Sequence, residues 1–99
     1  MTNLQTVLNT VEVQWLKNNS TTETPYSDID YTEYAFNGRL PAHMANKIKA
    51  AMKAIGWNGY KQDTIGEWVG NKRFDLTLKF GTAKRTQNNV TFFYTEETE

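Results

Sequence analysis

YSDIDYTEYAFNG, residues 26–38, is the stretch on which the fold turns, because its composition suits both a short helix and a strand. For a helix, Ser27 can accept the first free backbone N–H groups, and Asp28 and Asp30 fall at the positive end of the helix dipole. Gly38 after Asn37 can then take a left-handed stop, and Ile29, Thr32 and Phe36 share one face. For a strand, Tyr26, Tyr31, Tyr34 and Phe36 are aromatic residues of the kind that fit a pleated, half-buried surface. The capping residues favour a helix over 28–36, and that choice sets what the next segment can be.

The next segment, PAHMANKIKAAMKAI at 41–55, predicts a helix with Pro41 at its first position and an apolar stripe of Met44, Ala45, Ile48, Ala51, Met52 and Ile55. Gly56 is its stop, and Trp57 is placed to pack back on the last turn as in a Schellman-type ending. The link NGRL between the two helices is short and contains glycine, which is what a helix-turn-helix pair needs. On the amino-terminal side, Leu4, Val7, Leu8, Val11 and Trp15 fall on one helical arc, with Thr2 and Gln5 spaced as a capping box and Asn18, Asn19 and Ser20 ending the pattern. NSTTETP at 19–25 reads as a loop.

The remainder predicts sheet. In RFDLTLKF, 73–80, Phe74, Leu76, Leu78 and Phe80 alternate with Arg73, Asp75, Thr77 and Lys79, so one side is buried and the other is wet. YKQDTIGEWV at 60–69 is its partner through Gly70-Asn71, with Gly66 marking a bulge or bend, and VTFFY at 90–94 adds a third strand. The expected architecture is α+β: three helices followed by a small antiparallel sheet, winged-helix-like, in a single domain over 1–99. A chain of this length buries roughly 60 to 70% of its unfolded surface, enough for one core.

Without cysteine and with His43 as its one histidine, the chain has no disulfides, no thiolate nucleophile and no multi-histidine metal site. Asp28, Asp30 and Glu33 lack the glycine-centred loop of a calcium site, and His43 has no visible nucleophile to serve as base. No cofactor and no enzymatic activity are expected. No segment approaches the ~18 apolar residues of a membrane span, and the amino terminus lacks a signal-peptide pattern, so a cytoplasmic protein without membrane contact is expected.

Lysine plus arginine and aspartate plus glutamate are equal at 11 each, yet they are unevenly placed. Residues 1–40 hold two cations and five carboxylates, whereas 41–89 hold nine cations and three carboxylates. Because screening limits interaction to about 8 to 10 Å, a chain neutral in total can still present an attractive face to a polyanion. The candidate nucleic-acid contacts are Asn46, Lys47, Lys49 and Lys53 on the third helix, and Lys61, Lys72 and Arg73 on the hairpin, with Lys84 and Arg85 in the next loop. Lysine and alanine are also simply good formers of a solvated helix face. Trp57, Tyr60 and Trp68 are the candidates for stacking on single-stranded bases.

The run LPAHMANKIKAAMKAIGW, 40–57, with a polar and basic hairpin after it, resembles the winged-helix tail of phage and mobile-element primase or helicase proteins of the virulence-associated E type. There a helix ending in a Leu-Gly-Trp-like signature precedes a basic hairpin; here Ile55, Gly56 and Trp57 stand at that point, with Lys61, Lys72 and Arg73 beyond. The likeness spans about 40–80 and implies nucleic-acid binding, with duplex DNA as the expected partner. No phosphate-binding loop or polymerase carboxylate set accompanies it. The alternative is a small protein-binding module or phage-type inhibitor of a host complex, using the acidic, tyrosine-rich face of Tyr26, Asp28, Asp30, Tyr31, Glu33 and Tyr34.

Overall fold

Residues 30–39 form a strand, not the expected helix. The computed structural model describes residues 3–24, 30–57 and 63–98. In chain order the elements are α1 (Leu4–Leu8), α2 (Val11–Asn18), β1 (Thr21–Glu23), β2 (Asp30–Arg39), α3 (Ala42–Ala54), β3 (Asp63–Val69), β4 (Lys72–Phe80) and β5 (Asn89–Thr98). The strands make one antiparallel sheet in the order β1-β2-β5-β4-β3, so the last strand in sequence is the central one.

Helices and an antiparallel sheet are therefore both present, as the α+β expectation has it, but they do not come in two blocks. Two strands lie between α2 and α3. The first helix of the expected helix-turn-helix pair is replaced by β2, whose residues from Asp30 to Arg39 all pair with β5. Local caps lost to this ladder: a helix over 28–36 gains a few capping bonds, whereas the strand buries an aromatic face and satisfies its backbone across the sheet. Gly38 keeps an ordinary strand conformation beside the Phe36 ring instead of a left-handed stop. Ser27 and Asp28 lie outside the described residues.

The amino-terminal pattern is also corrected, because it breaks into two helices at Asn9 and Thr10. Thr10 is extended (ψ 153°) and caps α2, its hydroxyl accepting from the Val13 N–H and donating to the Val7 carbonyl. That reset rotates the helix so that Val13 and Leu16 face the core, leaving Val11 81% exposed and Trp15 at the rim against Phe36. Asn3, one residue on from the expected Thr2, caps α1. In the third helix Ala45, Ile48 and Met52 are buried, and Pro41 stands just before the first helical residue.

Two faces follow from the register. Toward the helices point Tyr34 and Phe36 of β2, Leu76, Leu78 and Phe80 of β4, and Val90, Phe92 and Tyr94 of β5. None of the described helices covers the other face, whose central rows read Tyr31-Glu97-Arg73-Trp68, Glu33-Thr95-Asp75-Gly66 and Ala35-Phe93-Thr77-Thr64 across β2, β5, β4 and β3. The β3–β4 hairpin forms through Gly70 (φ +63°) and Asn71, as a type II′ turn requires of its first central residue. Gly66 makes no bulge; its missing side chain leaves room for Arg73 to fold across the strand to Asp75.

Trp57 closes α3 as its position predicted. Gly56 is left-handed (φ +103°), its N–H donates to the Lys53 carbonyl, and the Trp57 N–H donates to the Met52 carbonyl, which is the Schellman pair. The indole is 3% exposed, meets Phe80 edge-on at 6.0 Å, and gives its N–H to the Leu78 carbonyl at 3.3 Å. Trp57→Ala should cost about 3–5 kcal/mol, and Gly56→Ala about 1–2 kcal/mol from the left-handed backbone alone, both read as the change in unfolding free energy from urea titration.

A polar clasp fastens the other end of the helical layer. Glu96 accepts the Tyr94 hydroxyl at 2.7 Å and the Lys17 ammonium at 3.2 Å, with Lys72 at 3.7 Å, while Lys17 lies 5.1 Å from the Tyr34 ring centre and 5.2 Å from that of Tyr94. Burial pushes the Glu96 carboxyl up, but the Tyr94 hydroxyl and the two lysines outweigh it and hold the group below the usual carboxylate range. A lowered folded value means that its stabilisation is complete above about pH 4.3, the unfolded value, and is lost as pH falls through the folded one. Glu96→Gln should lower the melting temperature at pH 7 and flatten its fall below about pH 5; an unchanged acid limb in thermal melts would contradict the clasp.

Candidate nucleic-acid interface

Strand direction decides where the cations go. β2 ends at Arg39, opposite the start of β5 at Asn89, and β4 ends at Phe80, opposite Val90. These ends meet at the turn of residues 81–88, which carries Lys84 and Arg85 exposed to solvent. α3 lies against the same end: Lys49 Nζ donates to the Gln87 carbonyl at 2.8 Å and sits 4.7 Å from the Phe80 ring centre. Lys53 follows one turn later and is exposed. Lys79 and Arg39 belong to the uncovered sheet face at this end, the first opposite Thr91 and the second opposite Asn89.

Arg39, Lys49, Lys53, Lys79, Lys84 and Arg85 are thus gathered at one end, and none has an ion pair with a described carboxylate. The sequence reason is simple: residues 34–62 and 76–95 contain no aspartate or glutamate at all. Burial, and then the neighbouring Lys53 charge, hold the Lys49 ammonium below the usual lysine value, so like charge is already felt within the cluster.

The other expected contacts go elsewhere. Lys72 and Arg73 lie at the far end of β4, roughly 26 Å away at ~3.3 Å per residue, and alternate to opposite faces. Lys72 is held by Glu96 at 3.7 Å and by the Phe74 ring, and Arg73 by Asp75 at 3.0 Å and by the Trp68 ring. Lys47 is exposed but turned along α2, where it meets Glu12 at 3.6 Å. Asn46 and His43 are exposed on α3, and Lys61 and Tyr60 lie outside the described residues. The structure therefore joins Lys49 and Lys53 to Lys84 and Arg85, and does not join them to Lys72 and Arg73. Arg39 and Lys79 are residues that the sequence reading missed, and the carboxylate-free segments 34–62 and 76–95 are the signal that would have found them.

The tyrosine-rich set divides as well. Tyr31 and Glu33 are on the uncovered face, where the Tyr31 hydroxyl donates to Glu33 at 3.1 Å. Tyr34 faces the core against Tyr94, Asp30 is exposed at the start of β2, and Tyr26 and Asp28 lie outside the described residues. Of the stacking candidates, Trp57 is buried, and Trp68 is exposed at the end remote from the cations. Among the described residues no group of three or more His, Cys, Asp or Glu side chains could hold a metal ion, and no helix is long and apolar enough to cross a membrane. No family model, curated protein or solved structure matches this chain.

Proposed function

We propose that this chain is a non-enzymatic nucleic-acid-binding module of the cytoplasm whose contact surface is the cationic end of the sheet, and that its ligand is duplex DNA. The observation that carries this is the set of Arg39, Lys49, Lys53, Lys79, Lys84 and Arg85 at one end without a carboxylate partner among the described residues. Among the described residues the exposed large apolar side chains are Val11, Trp15, Trp68, Val69 and Phe93, and none of these belongs to that end. Charge without a stacking platform suits a phosphate backbone better than unpaired bases. The resemblance of 40–57 to primase-helicase tails agrees with such a role; of the winged-helix outline, α3 and the hairpin after it remain, with the β4–β5 turn as the contact in place of the hairpin tip.

Four to six phosphate contacts give a log-log salt slope of about −4 to −5. By fluorescence anisotropy with a labelled duplex, Lys53→Glu with Lys84→Glu and Arg85→Glu should weaken binding at least tenfold, whereas Lys72→Gln with Arg73→Gln should leave it within about twofold. Equal loss from both sets, or no binding at about 50 mM salt, would count against the proposal.

A protein contact on the uncovered sheet face has one specific feature in its favour. Thr21, Glu23, Glu33, Ala35 and Phe93 line a shallow recess of about 160 Å³, with Glu23 directly opposite Glu33 and Phe93 38% exposed. Two facing carboxylates repel unless a cation sits between them. A lysine-rich peptide that binds the protein, and is lost in Glu23→Gln with Glu33→Gln while duplex binding persists, would favour this second role.

A further inference from the structure

The turn that carries Lys84 and Arg85 is built to a fixed shape. The Ala83 N–H donates to Thr86 Oγ1 at 3.2 Å, the Thr86 N–H to the Ala83 carbonyl at 3.0 Å, and the Asn89 N–H to the Thr86 carbonyl at 2.9 Å. Gly81 lies so close against Thr86 that a Cβ there would press into both its backbone and its side chain. Two bonds from outside hold the descending limb: the Leu40 N–H reaches the Asn88 carbonyl and the Lys49 ammonium reaches that of Gln87, each at 2.8 Å.

Lys49 differs from the other cations of the cluster. It is half-buried, its head is occupied by a carbonyl, and the charge rests 4.7 Å from the Phe80 ring centre, so reaching a phosphate would forfeit both contacts. Lys84 and Arg85 are exposed and, among the described residues, have no partner carboxylate, on a turn whose backbone is already ordered. Ordering that is complete before contact subtracts nothing from affinity.

We infer that the β4–β5 turn is a preformed phosphate-contact element, in which Lys84 and Arg85 touch the nucleic-acid backbone and Lys49 is a positioning residue that braces the turn without touching the ligand. This rests on the nucleic-acid proposal above, and its two halves separate experimentally. Amide hydrogen exchange of the free protein reads the brace: in Lys49→Met, which keeps the stem on Phe80, amides of residues 81–89 should exchange several-fold faster while those of β2 and β5 beyond it stay unchanged, and Lys49→Arg should restore protection. Salt titration of duplex binding between about 50 and 200 mM KCl reads the contacts. Lys84→Gln with Arg85→Gln should reduce the magnitude of the salt slope by about 2, whereas Lys49→Met should weaken binding several-fold at an unchanged slope.

Unchanged exchange in Lys49→Met, or a slope reduced by about 1 as for a direct contact, would overturn the brace. Absence of duplex binding by the unaltered protein would overturn the phosphate role together with the proposal beneath it. The exchange result, obtained without ligand, tells the two failures apart.

Discussion

The ladder between β2 and β5 is the constraint on which the rest of the structure depends. It pairs every residue from Asp30 to Arg39 with one from Asn89 to Thr98, joining segments about half the chain apart. Bringing these segments together costs conformational entropy, which a long, continuous register with an aromatic inner face offsets. Tyr34 beside Tyr94 and Phe36 opposite Phe92 supply that face. With β5 fixed against β2, its other edge is open to β4, and the five-strand order follows.

The same ladder distributes the charge. Antiparallel pairing puts the start of β5 beside the end of β2, so the carboxylate-free stretches 34–62 and 76–95 arrive at one end. Glu96 and Glu97, at the end of the same strand, are carried to the opposite end, where Lys17, Lys72 and Arg73 are drawn into contacts with carboxylates. A single register thus gathers cations without a described carboxylate partner at one end and ion-paired cations at the other. A shift of β5 by one residue would turn Phe92 and Tyr94 outward and bring Thr91 and Phe93 against the helices.

What was legible in the sequence was what local chemistry decides. The alternation from Arg73 to Phe80, the apolar stripe of α3 and the Gly56-Trp57 ending need only neighbours within a few residues, and the structure has all three. Residues 26–38 carried helix caps and strand-forming aromatics together, and the partner that decided between them, Asn89–Thr98, lies too far along the chain for a local pattern to weigh. Thr10 illustrates a subtler failure: Leu4 to Trp15 fit one helical arc, but one hydroxyl that caps the next turn shifts the phase by about a residue and exposes Val11. At the candidate interface, residue type identified Lys49, Lys53, Lys84 and Arg85, yet whether Lys72 and Arg73 joined them depended on strand direction, which composition does not contain.

Total charge is a poor guide to such a protein. Formal neutrality follows from equal numbers of cations and carboxylates, but the two ends of β4 are separated by roughly 26 Å, about three screening lengths at physiological salt. A phosphate near Lys84 and Arg85 therefore feels those charges, with Lys53, Lys79 and Arg39 behind them, and almost nothing of Glu23, Glu33 or Glu97 on the distant rows of the sheet. On the proposed role, the far carboxylates would act earlier, at low ionic strength, where a molecular dipole turns the cationic end toward a polyanion. They would also oppose a backbone laid across the uncovered face, which would have to pass Glu33. On the proposed role, attraction at one end and repulsion across the face would favour an end-on approach of the duplex, with the ordered turn, not the helix, first against it.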